Sequence, residues 1–155
     1  MQLTAREDIE APIDRVFAEL SDFENIERQA MRRGIDVRRT DSLPQPGKGT
    51  SWTAKFKFRG KSREAVIEIV EYAPPDRMRF QSVVGGLTTA TVLELVALSR
   101  NRTRVSIASD LTPRTLSARL LVQSLKLAKG GIDKRFRKRV GLLAKDLENR
   151  LKSTA

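Results

Sequence analysis

The sequence predicts an α+β fold: a seven-stranded antiparallel sheet curved around a long C-terminal helix, with two short helices between the first and second strands. Three observations carry this. From Pro113 to Leu151, Leu121, Leu125, Ala128, Ile132, Phe136, Val140, Leu143, Leu147 and Leu151 recur at steps of three or four, the spacing that puts residues on one helical face. Between Ile35 and Leu111, six strand-like segments follow one another across short turns. Two short helical stretches come directly after a first strand.

In chain order, Gln2–Glu10 is the first strand, with Leu3, Ala5 and Ile9 in period two. Ala11–Pro12 opens a helix whose apolar face is Ile13, Val16, Phe17 and Leu20. Ser21–Asp22 ends it and caps a second helix, Phe23–Arg33, which stops before Gly34. Ile35–Thr40 is the second strand, followed by the turn-rich run Pro44–Gly49. In the third strand Trp52, Ala54, Phe56 and Phe58 alternate with Ser51, Thr53, Lys55, Lys57 and Arg59, the pattern of a half-buried strand. Arg59–Gly60–Lys61 turns the chain into Arg63–Tyr72. Pro74–Pro75–Asp76 leads to a strand with Met78 and Phe80 on one face. Gly85–Gly86 leads to Leu87–Ser99, and Asn101–Arg102 to Thr103–Leu111, where Val105, Ile107, Ser109 and Leu111 share a face.

The last helix is expected to start at Thr112–Pro113, since threonine caps free N–H groups and proline at the first helical position loses no bond it needed. Its span would be roughly 58 Å at about 1.5 Å per residue. A bend or break is therefore expected, at the easily deformed Gly130–Gly131 pair. The inward residues of the sheet need cover, and this helix is the one element long enough to give it. A curved sheet closes poorly at the ends of such a helix, so a cavity between them is expected.

The 155 residues set one domain, 1–155, as the expectation, with enough chain for a core. Cysteine and histidine are both absent, which excludes disulfides, thiol nucleophiles, Ser–His–Asp chemistry and the usual zinc sites. No metal or cofactor is expected. No apolar run approaches a membrane span of about 18 residues, and Met1–Glu10 lacks a signal peptide's apolar core, so a soluble cytoplasmic protein is the expectation. The net charge of +11 is unevenly placed. Residues 113–155 carry 12 Lys/Arg against 3 Asp/Glu; residues 1–112 carry 18 against 16. The basic surface is Lys126, Lys129, Lys134, Arg135 and Lys138, with Arg137 and Arg139. These cations are either the solvated face opposite the core stripe or a surface for anionic lipid or an acidic partner. Scarce aromatics argue against single-stranded nucleic acid.

The run Ile9–Glu10–Ala11–Pro12–Ile13–Asp14–Arg15–Val16–Phe17, followed by Leu20–Ser21–Asp22–Phe23, resembles the opening of the SRPBCC superfamily, the START-like or Bet v 1-like helix-grip proteins. Glu71–Tyr72–Ala73–Pro74–Pro75–Asp76–Arg77–Met78 is similar to that superfamily's turn between middle strands. The order of elements matches over essentially the whole chain and places it near the bacterial polyketide cyclase/dehydrase and lipid transport branch. The resemblance implies a cavity for a hydrophobic small molecule. Activities on this fold include lipid or quinone carriage, hormone sensing, polyketide ring closure and co-chaperone binding, and fold alone does not choose among them. No catalytic signature accompanies the likeness; the Pro-Tyr-Ser opening of the coenzyme Q-binding branch, for instance, has no counterpart.

Candidate cavity residues follow from the inward faces. Trp52 either lines a cavity mouth, where its ring meets a flat ligand, or plugs the core. Phe56, Phe58, Met78 and Phe80 are cavity wall or core, since burial of roughly 1.5–3 kcal/mol apiece already accounts for them. Leu93 and Leu95 join them from the sheet; Leu125, Ile132 and Phe136 join from the helix. Thr91 and Ser109, with Thr89, are hydroxyls that would orient a ligand oxygen, or simply good strand formers. Glu68 and Tyr72 share a strand face by simple alternation. Turned inward they would make a carboxylate–phenol pair fit for proton transfer; turned outward, Glu68 pairs with a neighbouring cation. Asp133 lies close to the stripe and would either enter the open end of the cavity or pair with Arg137 at i, i+4, and the pair is the expectation. Leu116–Ala128 is apolar nearly all round, and its second face requires the short helices, a second copy or a membrane to cover it. The leading expectation is a non-catalytic binder or carrier, monomeric or homodimeric. A cyclase or aromatase is the alternative, and an anionic-surface protein the third reading.

Overall fold

A computed structural model describes residues 1–153. The elements are β1 (Gln2–Ile9), α1 (Ile13–Leu20), α2 (Phe23–Arg32), β2 (Asp36–Arg39), β3 (Ser51–Phe58), β4 (Lys61–Ala73), β5 (Arg77–Val84), β6 (Leu87–Ser99), β7 (Arg102–Pro113), α3 (Leu116–Leu127) and α4 (Lys129–Ser153). The seven strands form one antiparallel sheet in the order β1-β7-β6-β5-β4-β3-β2. Consecutive strands from β2 to β7 are neighbours, and β1 closes the far edge against β7, as short turns and one early strand require.

The register sets the inner face. Ile69, Phe80, Thr91, Ser109 and Leu3 stand abreast across β4, β5, β6, β7 and β1. The next row is Tyr72, Met78, Leu93, Ile107 and Ala5. Period-two alternation aims these side chains at one side, where Ile69, Met78, Trp52, Leu95 and Val105 are buried. α1 and α2 lie over them. Asp22 caps α2 by accepting from Asn25 N–H at 3.3 Å, and Val16, Phe17 and Phe23 are buried with the sheet residues.

One strand changes face midway. Ile69 pairs with Phe80 but Glu71 with Arg79, so Val70 is the extra residue of a β-bulge. Alternation before the bulge puts Glu68 outside; the skipped step turns Tyr72 inside, its ring meeting Phe17 edge-on at 5.7 Å. The carboxylate–phenol pair therefore does not form. Glu71 ends outside, with Arg79 at 3.3 Å.

The C-terminal helix is broken in two, as its length led one to expect, but its start and the place of the break differ from those read in the sequence. Thr112 and Pro113 remain in β7, paired with Thr88 and Leu87. Thr115 is the cap instead, its Oγ1 accepting from Ala118 N–H at 3.2 Å. The break falls at Ala128, whose N–H turns back to the Leu125 carbonyl. Gly130 and Gly131 follow in the first turn of α4, and their poor helix propensity explains why the ladder yields beside them. Asp133 pairs with Lys129 at 2.7 Å rather than with Arg137, which reaches over the sheet edge to the Thr4 carbonyl at 3.3 Å. That hook holds α4 along β1. Leu147 and Leu151 then enter the core at its far end, while Ile132 and Phe136 stay outside it.

Candidate ligand groove

The α4 stripe leans on the β1 edge instead of lying centrally, so the space between α2, α4 and the concave sheet is underfilled. A chamber of about 540 Å³ opens there, walled by Leu20, Ile26, Leu93, Ile107, Val140 and Leu147. A second hollow of about 300 Å³ continues beneath α2, walled by Phe23, Ala30, Val37, Trp52, Ile67 and Phe80. Leu20 and Ile26 stand in the walls of both, so the two hollows adjoin and together make up the groove. Ile26 is 43% exposed, an apolar side chain only partly covered by the fold.

The few polar groups sit at defined places. Trp52 is buried beside Phe23, with ring centroids 5.1 Å apart, and its Nε1 donates to Glu27 Oε1 at 3.2 Å. This bond gives the indole N–H a partner beneath α2. Thr91 Oγ1 and Ser109 Oγ, expected to line the cavity, lie 2.9 Å apart on the concave face but outside the walls of both hollows, where each hydroxyl partners the other. The rim of the larger chamber carries Arg32, Arg33 and Asp146, and Arg150 bridges α4 to Glu19 of α1 at 3.5 Å.

Of the sequence candidates, Trp52, Phe80 and Leu93 line the groove. Met78 and Leu95 are buried in the core beneath it. Phe56 opens instead onto a third hollow beside Arg33, Arg63 and Arg139. Phe58 is 40% exposed, with the Arg59 and Arg63 guanidiniums 5.5 and 5.6 Å from its ring. Leu125, Ile132 and Phe136 are half-buried away from the groove. Among the basic residues, Lys126, Lys134, Arg135 and Lys138 are exposed, while Lys129 is tied to Asp133. Sequence reasoning missed Leu20, Ile26 and Ala144 as lining. The apolar face of α1 already contained Leu20, but which helices flank the opening depends on where α4 rests. Among the described residues, no group of three or more acidic side chains could hold a metal ion, and no helix is long and apolar enough to cross a membrane.

A curved seven-stranded antiparallel sheet with two short helices after its first strand and a long C-terminal helix is the START/Bet v 1-like fold. The chain belongs to the SRPBCC superfamily, in the polyketide cyclase/dehydrase and lipid transport family, whose model matches residues 1–148. The structure is similar to TTHA0849 from Thermus thermophilus (TM-score 0.68, 19% identity, covering 100% of this chain and 99% of that one). It is also similar to the ZhuI aromatase/cyclase from Streptomyces sp. R1128 (TM-score 0.67, 10% identity, 97% and 95% covered). A START superfamily protein from Mycobacterium smegmatis aligns at TM-score 0.57 and 12% identity, over 86% of this chain and 95% of that one. At such identities the likeness is one of fold. No curated protein matches the sequence.

Proposed function

We propose that this protein binds and carries a hydrophobic small molecule, a lipid, isoprenoid or aromatic polyketide-like compound, in the groove between α2, α4 and the concave sheet. The observation that carries the reading is the mainly apolar lining of two adjoining hollows that share Leu20 and Ile26 as wall. Apolar walls supply affinity without regard to ligand orientation, and the few polar groups beside them fix how the ligand sits. Trp52 offers a ring at the floor of the smaller hollow. Arg32 and Arg33 at the rim suit an acidic or carbonyl end of the ligand.

A second reading, a cyclase-like enzyme, draws support from Tyr72, which the bulge turns onto the concave face beside Phe17. Tyr72 lines neither hollow, so this reading requires a substrate that reaches past Phe17 to the phenol that would move the proton. Native mass spectrometry of protein purified from its own host tests the carrier: a co-purifying apolar molecule, released unchanged on unfolding, is the expected result. Preparations that stay empty and take up no fatty acid, quinone or aromatic polyketide would end the carrier reading. Turnover of a polyketide-like chain that Tyr72→Phe abolishes, with binding kept, would replace it by the enzyme.

A further inference from the structure

We propose that α3, together with the β3–β4 turn, is a docking face for an anionic lipid bilayer. The buried side of α3 is Ala118 and Val122, 6% and 3% exposed. On the opposite side Leu116, Leu120 and Leu127 are 73%, 59% and 93% exposed. At 100° per residue these three leucines lie within about 40° of one another around the helix axis. The cover expected from the short helices is absent: α1 and α2 lie over the concave face of the sheet, and the leucine stripe points away from the protein.

Cations border the stripe. Arg119 and Lys126 run together along one side of it on α3, Arg114 precedes it, and all three are exposed. Arg59 in the β3–β4 turn reaches Ser124 Oγ of α3 at 3.5 Å, which brings the adjoining strand ends, with half-exposed Phe58 of β3 and Lys61 and Arg63 of β4, to the same end of the molecule. No carboxylate occurs in the sequence between Asp110 and Asp133. A large apolar side chain in water is unfavourable unless something covers it, and an apolar helix stripe fringed with Lys and Arg has the composition of an interfacial helix on acidic lipid. Charge decides against the other occupants. Two copies meeting through this face would bring like cations together. A nucleic acid would meet the cations but would leave the leucines unburied.

Such docking is independent of what the groove holds, and pelleting with vesicles tests it directly. The wild type is expected to pellet with mixed phosphatidylcholine–phosphatidylglycerol vesicles and to stay in solution with pure phosphatidylcholine. Leu116→Gln/Leu120→Gln/Leu127→Gln, which keeps helix propensity at exposed positions, is expected to weaken anionic-vesicle binding about tenfold or more with an unchanged melting temperature. Added salt is expected to weaken the wild type's binding and to abolish that of the triple variant. Wild-type protein that ignores anionic vesicles overturns the proposal. So does a triple variant that binds them as tightly as wild type, or a leucine-dependent dimer or a DNA complex that forms where vesicle binding does not.

Discussion

The indole Nε1 of Trp52 donates to Glu27 Oε1 across 3.2 Å, tying β3 to α2 beneath the smaller hollow. Glu27→Ala leaves this buried N–H without its acceptor and is expected to lower stability by about 1–3 kcal/mol. Glu27→Gln keeps an acceptor and is expected to cost less. Urea unfolding followed by Trp52 emission measures both, since Trp52 is the only tryptophan.

Asp41 predicts a pH dependence. Arg39 donates to its carboxylate at 2.8 and 3.1 Å, and the N–H groups of Ser51 and Leu43 add bonds of 2.9 Å each. The Arg39 hydrogen bonds foremost, then the one from Ser51, hold the carboxyl far below its ordinary value of 3.8. The unfolded chain takes up this proton first, so the stabilisation is complete above the ordinary value and disappears as pH falls from there towards the folded value. Asp41→Asn is therefore expected to be less stable than wild type at neutral pH, with the gap closing below about pH 4. Paired denaturant titrations across that range check it.

Gly86 makes room for the start of α3. A Cβ there would run into the Thr115 side chain, and the Gly86 carbonyl accepts from Arg114 N–H at 2.7 Å. Gly86→Ala is expected to destabilise by about 1–3 kcal/mol through this overlap. Thr115→Ala removes only the cap and is expected to cost about 1 kcal/mol. Both should speed hydrogen exchange at Ala118 N–H.

Two substitutions on neighbouring turns of α4 separate folding from filling. Leu147 is 4% exposed and belongs to the core as well as the groove wall, so Leu147→Ala is expected to cost about 2–5 kcal/mol. Ala144 is half-buried with space before it. Ala144→Phe is expected to block ligand uptake while shifting stability by about 1 kcal/mol or less. Thermal melts beside a Trp52 emission titration give both quantities.

The alternation of Trp52, Ala54, Phe56 and Phe58 against lysines announces β3, and the Ile13, Val16, Phe17 and Leu20 face announces α1, because each pattern reports a boundary between core and water. β4 reports none. Val66, Ile67, Ile69 and Val70 are apolar on both faces, so one extra residue at Val70 leaves the pattern unchanged while reversing where Tyr72 points. The helix break near Gly130–Gly131 was legible to within two residues, whereas its start was not, since Thr112–Pro113 and Thr115 both read as caps. A hollow follows from curvature, and its sheet wall was legible at Trp52, Phe80 and Leu93, but its helical wall was not. Phe136 and Val140 have equal claims on one helical stripe, and what separates them is how α4 leans on β1, with Arg137 hooked over the Thr4 carbonyl.

In β1, Gln2 lies opposite Asp110 and Ile9 opposite Thr103. During translation the first strand therefore leaves the ribosome about a hundred residues ahead of its mate, a wait of ~5–20 seconds at ordinary elongation rates. Every other strand meets a partner within a hairpin. Closing the β1–β7 seam is thus the slow, long-range event of folding, and α4, which rests along β1, has no bed until it is complete. A nascent chain halted before β7 would hold a finished meander and an orphaned leading strand.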